Sequence, residues 1–114
     1  MMSGLTLHPM KEIRIIISGE QLKFVTDLLD AVHATGYTII HNISGKGHHG
    51  PHTAHPMFNE MDSLAMLMSV IMEEHLEPIL AGLTPLFERF AGVIFVSDVS
   101  VSRRAYFSNP PHNA

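Results

Sequence analysis

The order in which strand-like and helix-like segments follow one another is the feature that most constrains the fold of this chain. Four short runs are rich in β-branched and apolar residues, and two longer segments place apolar residues at helical spacing. The strand-like runs span residues 12–18, 37–43, 64–70 and 93–101, and the helical segments span 21–34 and 73–90. The predicted order is therefore β-α-β-β-α-β.

This order is typical of a ferredoxin-like α+β fold, in which both helices cover one face of a four-stranded antiparallel sheet. Two helices cannot shield both faces, so strands this apolar indicate that the second face is buried between subunits. An apolar content of 46% also favours an oligomer. We expect a single domain over residues 12–107, with tails at 1–11 and 108–114.

Three details of these elements are predicted as well. Gly36 is expected to close the first helix, and Pro85 to bend or interrupt the second. In the third strand, Leu64, Met66, Met68 and Val70 alternate with smaller or more polar residues and form one strongly apolar face.

Composition excludes several classes of protein. The chain has no cysteine, so disulfides, thiolate metal sites and cysteine nucleophiles are excluded. A net charge of −4 without any basic run argues against a nucleic-acid partner. No apolar run approaches the length of a membrane span, so we expect no membrane insertion and a cytoplasmic location.

A glycine-flanked lysine follows the second strand, at the start of a long polar loop over residues 44–62. Gly45 and Gly47 would let backbone N–H groups approach an anion closely, while Lys46 neutralises its charge. The spacing of a P-loop is absent, so the three residues alone do not identify the anion. His48 and His49 follow directly and, with Lys46, could supply convergent donors to a small anion.

Histidines support an alternative interpretation. His41, His48, His49, His52 and His55 crowd one segment, and imidazole suits Zn, Cu or Ni. The alternative is thus a histidine-loop metal-binding protein of the same fold. An enzyme is not expected, because no paired carboxylates and no nucleophile–base constellation can be assembled from the sequence.

Four motifs, in this order along the chain, resemble the P-II family of trimeric nucleotide-sensing signal proteins. They are Gly36-Tyr37-Thr38, Gly45-Lys46-Gly47-His48, Ala91-Gly92, and Phe95-Val96-Ser97-Asp98-Val99 leading to Ser102-Arg103-Arg104. The resemblance implies a homotrimer whose sheets face a common centre, with ADP or AMP, or else ATP, in each cleft between subunits.

The resemblance also implies roles for single residues. Thr38 is similar to the family's adenine-contacting threonine, Gly92 to its phosphate-side glycine, and Arg103 or Arg104 to its phosphate arginine. Lys46 and Arg89 would join them near the phosphates, with Gly45 and Gly47 beside the lysine. A guanidinium can hold a phosphate through two hydrogen bonds, so the set is chemically adequate.

Two departures separate the chain from the nitrogen-sensing members. Residues 41–62 contain no tyrosine for nucleotidylylation, and Lys46 is flanked by glycines where those members place a glutamine for metal and 2-oxoglutarate. The chain is more similar to the carboxysome-associated members. This resemblance implies bicarbonate as a second ligand, and regulation of inorganic-carbon metabolism or of a transporter through the loop at 44–62, the T-loop.

Overall fold

A computed structural model of the protein describes residues 4–45 and 63–103. Its strands and helices follow the predicted β-α-β-β-α-β order. Short 3-10 turns at Gly19–Gln21 and Glu73–His75 lead into the two helices. The elements are β1 (His8–Ser18), α1 (Leu22–Ala31), β2 (Thr38–Ile43), β3 (Leu64–Ile71), α2 (Leu76–Arg89) and β4 (Gly92–Val101).

The four strands form one sheet in the order β2-β3-β1-β4, and every neighbouring pair is antiparallel. The two helices pack against one face of this sheet, which confirms the predicted ferredoxin-like α+β fold. The hydrophobic core lies between that face and the helices. It contains Ile13, Ile15 and Ile17 of β1, Leu64, Leu67 and Ile71 of β3, Val25 and Leu29 of α1, and Ile79, Leu83 and Leu86 of α2.

β1 is longer than the sequence predicts. It begins at His8, four residues before the expected start, and so extends into the segment predicted as a tail. His8 pairs with Val101, and Lys11 pairs with both Asp98 and Ile71. Histidine, proline and lysine have weak strand propensity, but pairing with β4 from His8 onward, and with β3 from Lys11 onward, overrides that preference.

The face of β3 that packs against the helices is not the one that the sequence marks as strongly apolar. Ala65, Leu67, Ser69 and Ile71 are buried on the helix side. Met66 and Met68 are only partly buried and lie on the opposite, helix-free face. The methionines therefore belong to the surface that needs a second cover.

The prediction that Gly36 closes the first helix is wrong, and Pro85 does not interrupt the second helix. α1 ends at Ala31, and His33, not Gly36, adopts the left-handed conformation after it, with φ of 66°; histidine is among the residues that tolerate this region. α2 continues uninterrupted through Pro85. Pro85 is exposed, so the carbonyl left without its helical N–H partner can be solvated.

Candidate functional site

The helix-free face of the sheet is largely apolar and partly open to solvent. Phe95 is 53% exposed, Ile40 43% and Val93 38%. Because side chains alternate along a strand, these residues share the face with Ile16, Met66 and Met68. A continuous apolar surface of this kind is typical of an interaction site.

Three of the predicted ligand residues lie at the same end of the sheet, with Gly45 after the edge strand β2 and Gly92 at the start of the opposite edge strand β4. β2 ends at Ile43, and Gly45 follows it by two residues. Ile43 pairs with Leu64 of β3, and Leu64 pairs with Ser18 of β1. The neighbouring Ile17 pairs with Gly92 at the start of β4. Arg89 ends α2 three residues before Gly92 and is exposed. Lys46, Gly47, His48 and His49 follow Gly45 but lie outside the described residues.

Arg103 lies at the opposite end of the sheet. β4 runs from Gly92, paired with Ile17, to Val101, paired with His8. Nine residue steps at about 3.3 Å each separate these two pairs by roughly 30 Å. Arg103 follows Val101 by two residues, and Arg104 lies outside the described residues. One chain therefore does not bring Arg103 to Gly45, Arg89 and Gly92.

Thr38 opens β2 and is exposed between these two ends. Thr38 pairs with Met68, Met68 pairs with Arg14, and Arg14 pairs with Phe95. These four residues form a row across the helix-free face. The segment just before it is held to the sheet by Ser69, whose Oγ donates a 2.6 Å hydrogen bond to the carbonyl of Gly36. A ligand that reaches Thr38 thus approaches the apolar face.

Gly92 has a packing role that the sequence does not reveal. A Cβ at this position would lie 2.6 Å from Cε1 of Phe87 and 3.1 Å from Cγ2 of Ile17. A side chain at position 92 would therefore displace the ring of Phe87, so close packing favours glycine where α2 turns into β4, whatever ligand is present. Arg89 is also positioned locally, because its guanidinium carbon lies 5.6 Å from the ring centroid of Phe90.

Sequence reasoning missed an ion pair that joins β1 to β4. Lys11 Nζ donates a 2.5 Å hydrogen bond to Asp98 Oδ1, which raises the pKa of the lysine ammonium above its usual value. A cavity of about 450 Å³ adjoins the pair at the Arg103 end of the sheet, with Glu73 in its wall. No sequence motif links residues 87 positions apart; only the strand register does.

The metal-binding alternative depends on residues that the structure does not describe. His48, His49, His52 and His55 lie in the segment between 45 and 63, while His41 is exposed on β2. Within residues 4–45 and 63–103, no group of three or more histidine and acidic side chains could hold a metal ion. Metal binding by the loop stays a prediction. Among the same residues, neither helix is long and apolar enough to cross a bilayer.

Comparison with known proteins identifies clear relatives. Residues 10–106 match the family described as nitrogen regulatory protein P-II. No curated protein sequence matches significantly. Solved structures do match, among them three of CPII, a PII-like protein from Thiomonas intermedia K12.

The three CPII structures differ in their bound ligands. The one with ADP, AMP and bicarbonate is 45% identical, covers 93% of this chain and 100% of its own, and has a TM-score of 0.80. The one with ADP and bicarbonate is 41% identical, covers 91% and 99%, and has a TM-score of 0.78. The one with ADP, AMP and acetate is 43% identical, covers 92% and 100%, and has a TM-score of 0.81.

Proposed function

The chain belongs to the nitrogen regulatory protein P-II family, and we propose that it is a regulatory protein that binds ADP or AMP between the subunits of a homotrimer. The observation that carries this proposal is its similarity, over more than nine tenths of both chains, to a protein whose structures contain these nucleotides. Sensing rather than turnover is the proposed role, in keeping with the regulatory family.

The separation of the proposed ligand residues supports a site between chains. Gly45, Arg89 and Gly92 lie at one end of the sheet, and Lys46 and Gly47 continue from Gly45. Arg103 lies about 30 Å away along the same sheet, and Arg104 follows it. We propose that the phosphates bind the first group from one subunit and the arginines from its neighbour.

Thr38 fits the adenine end of this site. It is exposed on the helix-free face, beside Met68, so a purine could contact an apolar surface and a hydroxyl together. Trimer formation would bury that face and enclose the base. Each nucleotide would then depend on the assembly for both its polar and its apolar contacts.

We propose bicarbonate as the second ligand, held by Lys46, His48 and His49. Two of the similar CPII structures contain bicarbonate. The glycines on both sides of Lys46 and the absence of tyrosine from residues 41–62 favour bicarbonate over 2-oxoglutarate. The proposed output is regulation of inorganic-carbon metabolism or of a transporter, through contacts of residues 44–62 with a protein partner, in the cytoplasm or at a carboxysome.

Calorimetric titration tests the proposal directly. ADP is titrated into the protein with and without bicarbonate, and we expect bicarbonate to tighten ADP binding because the ligand that binds first meets the entropy cost of fixing the segment around Lys46 for the second. Lys46→Ala should abolish this coupling, whereas Lys23→Ala, on the exposed surface of α1, should preserve it. An ADP affinity that bicarbonate leaves unchanged would contradict the bicarbonate role, and absence of ADP binding would contradict the function as a whole.

A further inference from the structure

An ion pair lies within the apolar, helix-free face of the sheet. Glu12 and Arg14 are two residues apart on the central strand β1, so both point to this face. Arg14 Nε lies 3.5 Å from Glu12 Oε2. Arg14 is flanked across the sheet by Met68 and Phe95.

The two charged side chains differ in solvent exposure. The side chain of Glu12 is 14% exposed, while that of Arg14 is 51% exposed. The Glu12 carboxylate lies near one nitrogen of the guanidinium, which carries five N–H donors, and covering the face would remove the water from the donors that still face solvent. Buried donors without acceptors are unfavourable, so a cover that supplies further acceptors for Arg14 is favoured.

Further copies of this chain meet that requirement. Each copy brings one carboxylate and one guanidinium to the same place, so copies related by rotation bring equal numbers of opposite charges. The proposed nucleotide site also needs the Arg103 end of a second copy, because one chain separates it from Gly45 by the length of β4. Charge and site geometry thus favour the same occupant.

We propose that Glu12 and Arg14 of neighbouring copies form a closed ring of ion pairs on the covered face, and that this ring fixes the register of the assembly and selects its partners. This inference rests on the proposed trimer. The surrounding side chains, such as Ile16, Met66 and Val93, are apolar and would accept many apolar surfaces. The ring adds selection because a chain without matching charges would bury the further N–H donors of Arg14 without acceptors.

Charge reversal tests the ring. Arg14→Glu leaves only carboxylates at the ring, and Glu12→Arg leaves only guanidiniums. Each variant alone should raise the dissociation constant of the assembly at least about 100-fold in sedimentation equilibrium. Lys23→Glu, which makes the same charge change on the exposed surface of α1, should assemble like the wild type.

Mixing the two variants keeps the test decisive even where one of them folds poorly alone. The Arg14→Glu and Glu12→Arg chains are refolded together, and native mass spectrometry counts the mixed and the single-variant assemblies. In a mixed trimer two of the three contacts join opposite charges and one joins like charges, whereas all three contacts of a single-variant trimer join like charges. An excess of mixed assemblies over the random proportion supports the ring. No such excess, or wild-type assembly of either variant alone, overturns it.

The wild type separates this inference from the proposed function. A wild-type chain that is monomeric or binds no ADP contradicts the proposed function itself. A wild type that assembles and binds ADP, together with charge-reversed variants that do the same, overturns the ring alone.

Discussion

At the scale of single residues, Ser69 connects the core to the proposed adenine end of the site. It is 4% exposed and is a polar side chain within the otherwise apolar core of the described residues. Its hydroxyl donates a hydrogen bond to the Gly36 carbonyl. Gly36 lies two residues before Thr38, where the pairing of β2 with β3 begins. The position of Thr38 therefore depends on a contact that no sequence pattern predicts.

We expect Ser69→Ala to lower the free energy of unfolding by about 1–2 kcal/mol, because it removes a shielded hydrogen bond. ADP affinity should fall as well, since Gly36 is freed next to Thr38. Urea denaturation and calorimetry measure the two effects. Thr84→Ala removes an exposed hydroxyl-to-carbonyl bond on α2 and should change stability by no more than about 0.5 kcal/mol. Equal effects of the two substitutions would contradict the role of Ser69.

At the scale of elements, the sequence predicts the segments that periodicity determines and misses those that pairing determines. The strand centres and the two amphipathic helices are confirmed, because the hydrophobic pattern and the core agree there. The start of β1 at His8 is missed, because strand pairing and not local preference orders that segment. Helix closure by His33 is missed because glycine is the more usual residue in the left-handed region, although histidine tolerates it. The continuation through Pro85 is missed because solvent can satisfy the carbonyl that loses its helical partner.

The site shows the same division. The sequence places the Gly45 and Gly92 motifs at the ends of strands, and the register puts both motifs at the same end of the sheet. The contacts of Arg14 with its face and of Lys11 with Asp98 follow from register alone and leave no local signal. The positions of Lys46 and Arg104 lie outside the described residues, so their part in the site stays a proposal.

The Lys11–Asp98 pair allows a prediction about the joining of β1 to β4. The hydrogen bond and the charge of Asp98 raise the pKa of Lys11 in the folded chain above 10.5. The pair therefore stabilises the fold fully below that pH, and its contribution is lost as the pH rises through the folded-state pKa. Lys11→Met should have a lower urea midpoint than the wild type at pH 8, and the difference should shrink above pH 10.5.

Lys23→Met provides the matched control for this measurement. Lys23 pairs with Asp27 on the exposed surface of α1, and both side chains are more than half exposed. An exposed pair contributes little, so its removal should barely move the midpoint at pH 8. A Lys11→Met midpoint that differs from the wild type equally at all pH values would contradict the linkage.

At the scale of the whole molecule, the helix-free face determines how the protein should associate and bind nucleotide. One face of the sheet is covered by α1 and α2, while the other exposes Phe95, Ile40 and Val93. The fold family provides a trimer that buries such a face, and the proposed nucleotide site requires the same assembly. Nucleotide binding and association should therefore be coupled, with each stabilising the other.

Phe95→Glu should prevent assembly at micromolar concentration, because it would bury three carboxylates within an apolar interface. Light scattering after size-exclusion chromatography measures the mass. Phe24→Glu is the matched control, since Phe24 is 45% exposed on α1, away from this face, and should leave the mass unchanged. A Phe95→Glu protein with the mass of the wild type would show that the face is not the interface.

Complementation between two defective chains tests the central claim, that opposite ends of two chains form each nucleotide site. Chains with Lys46→Ala and chains with Arg103→Ala and Arg104→Ala are prepared separately and refolded together, and ADP binding is titrated. Neither protein alone should bind ADP with wild-type affinity, whereas each mixed trimer should regain one intact site between a pair of unaltered ends. Mixed trimers that recover no wild-type site would contradict the claim.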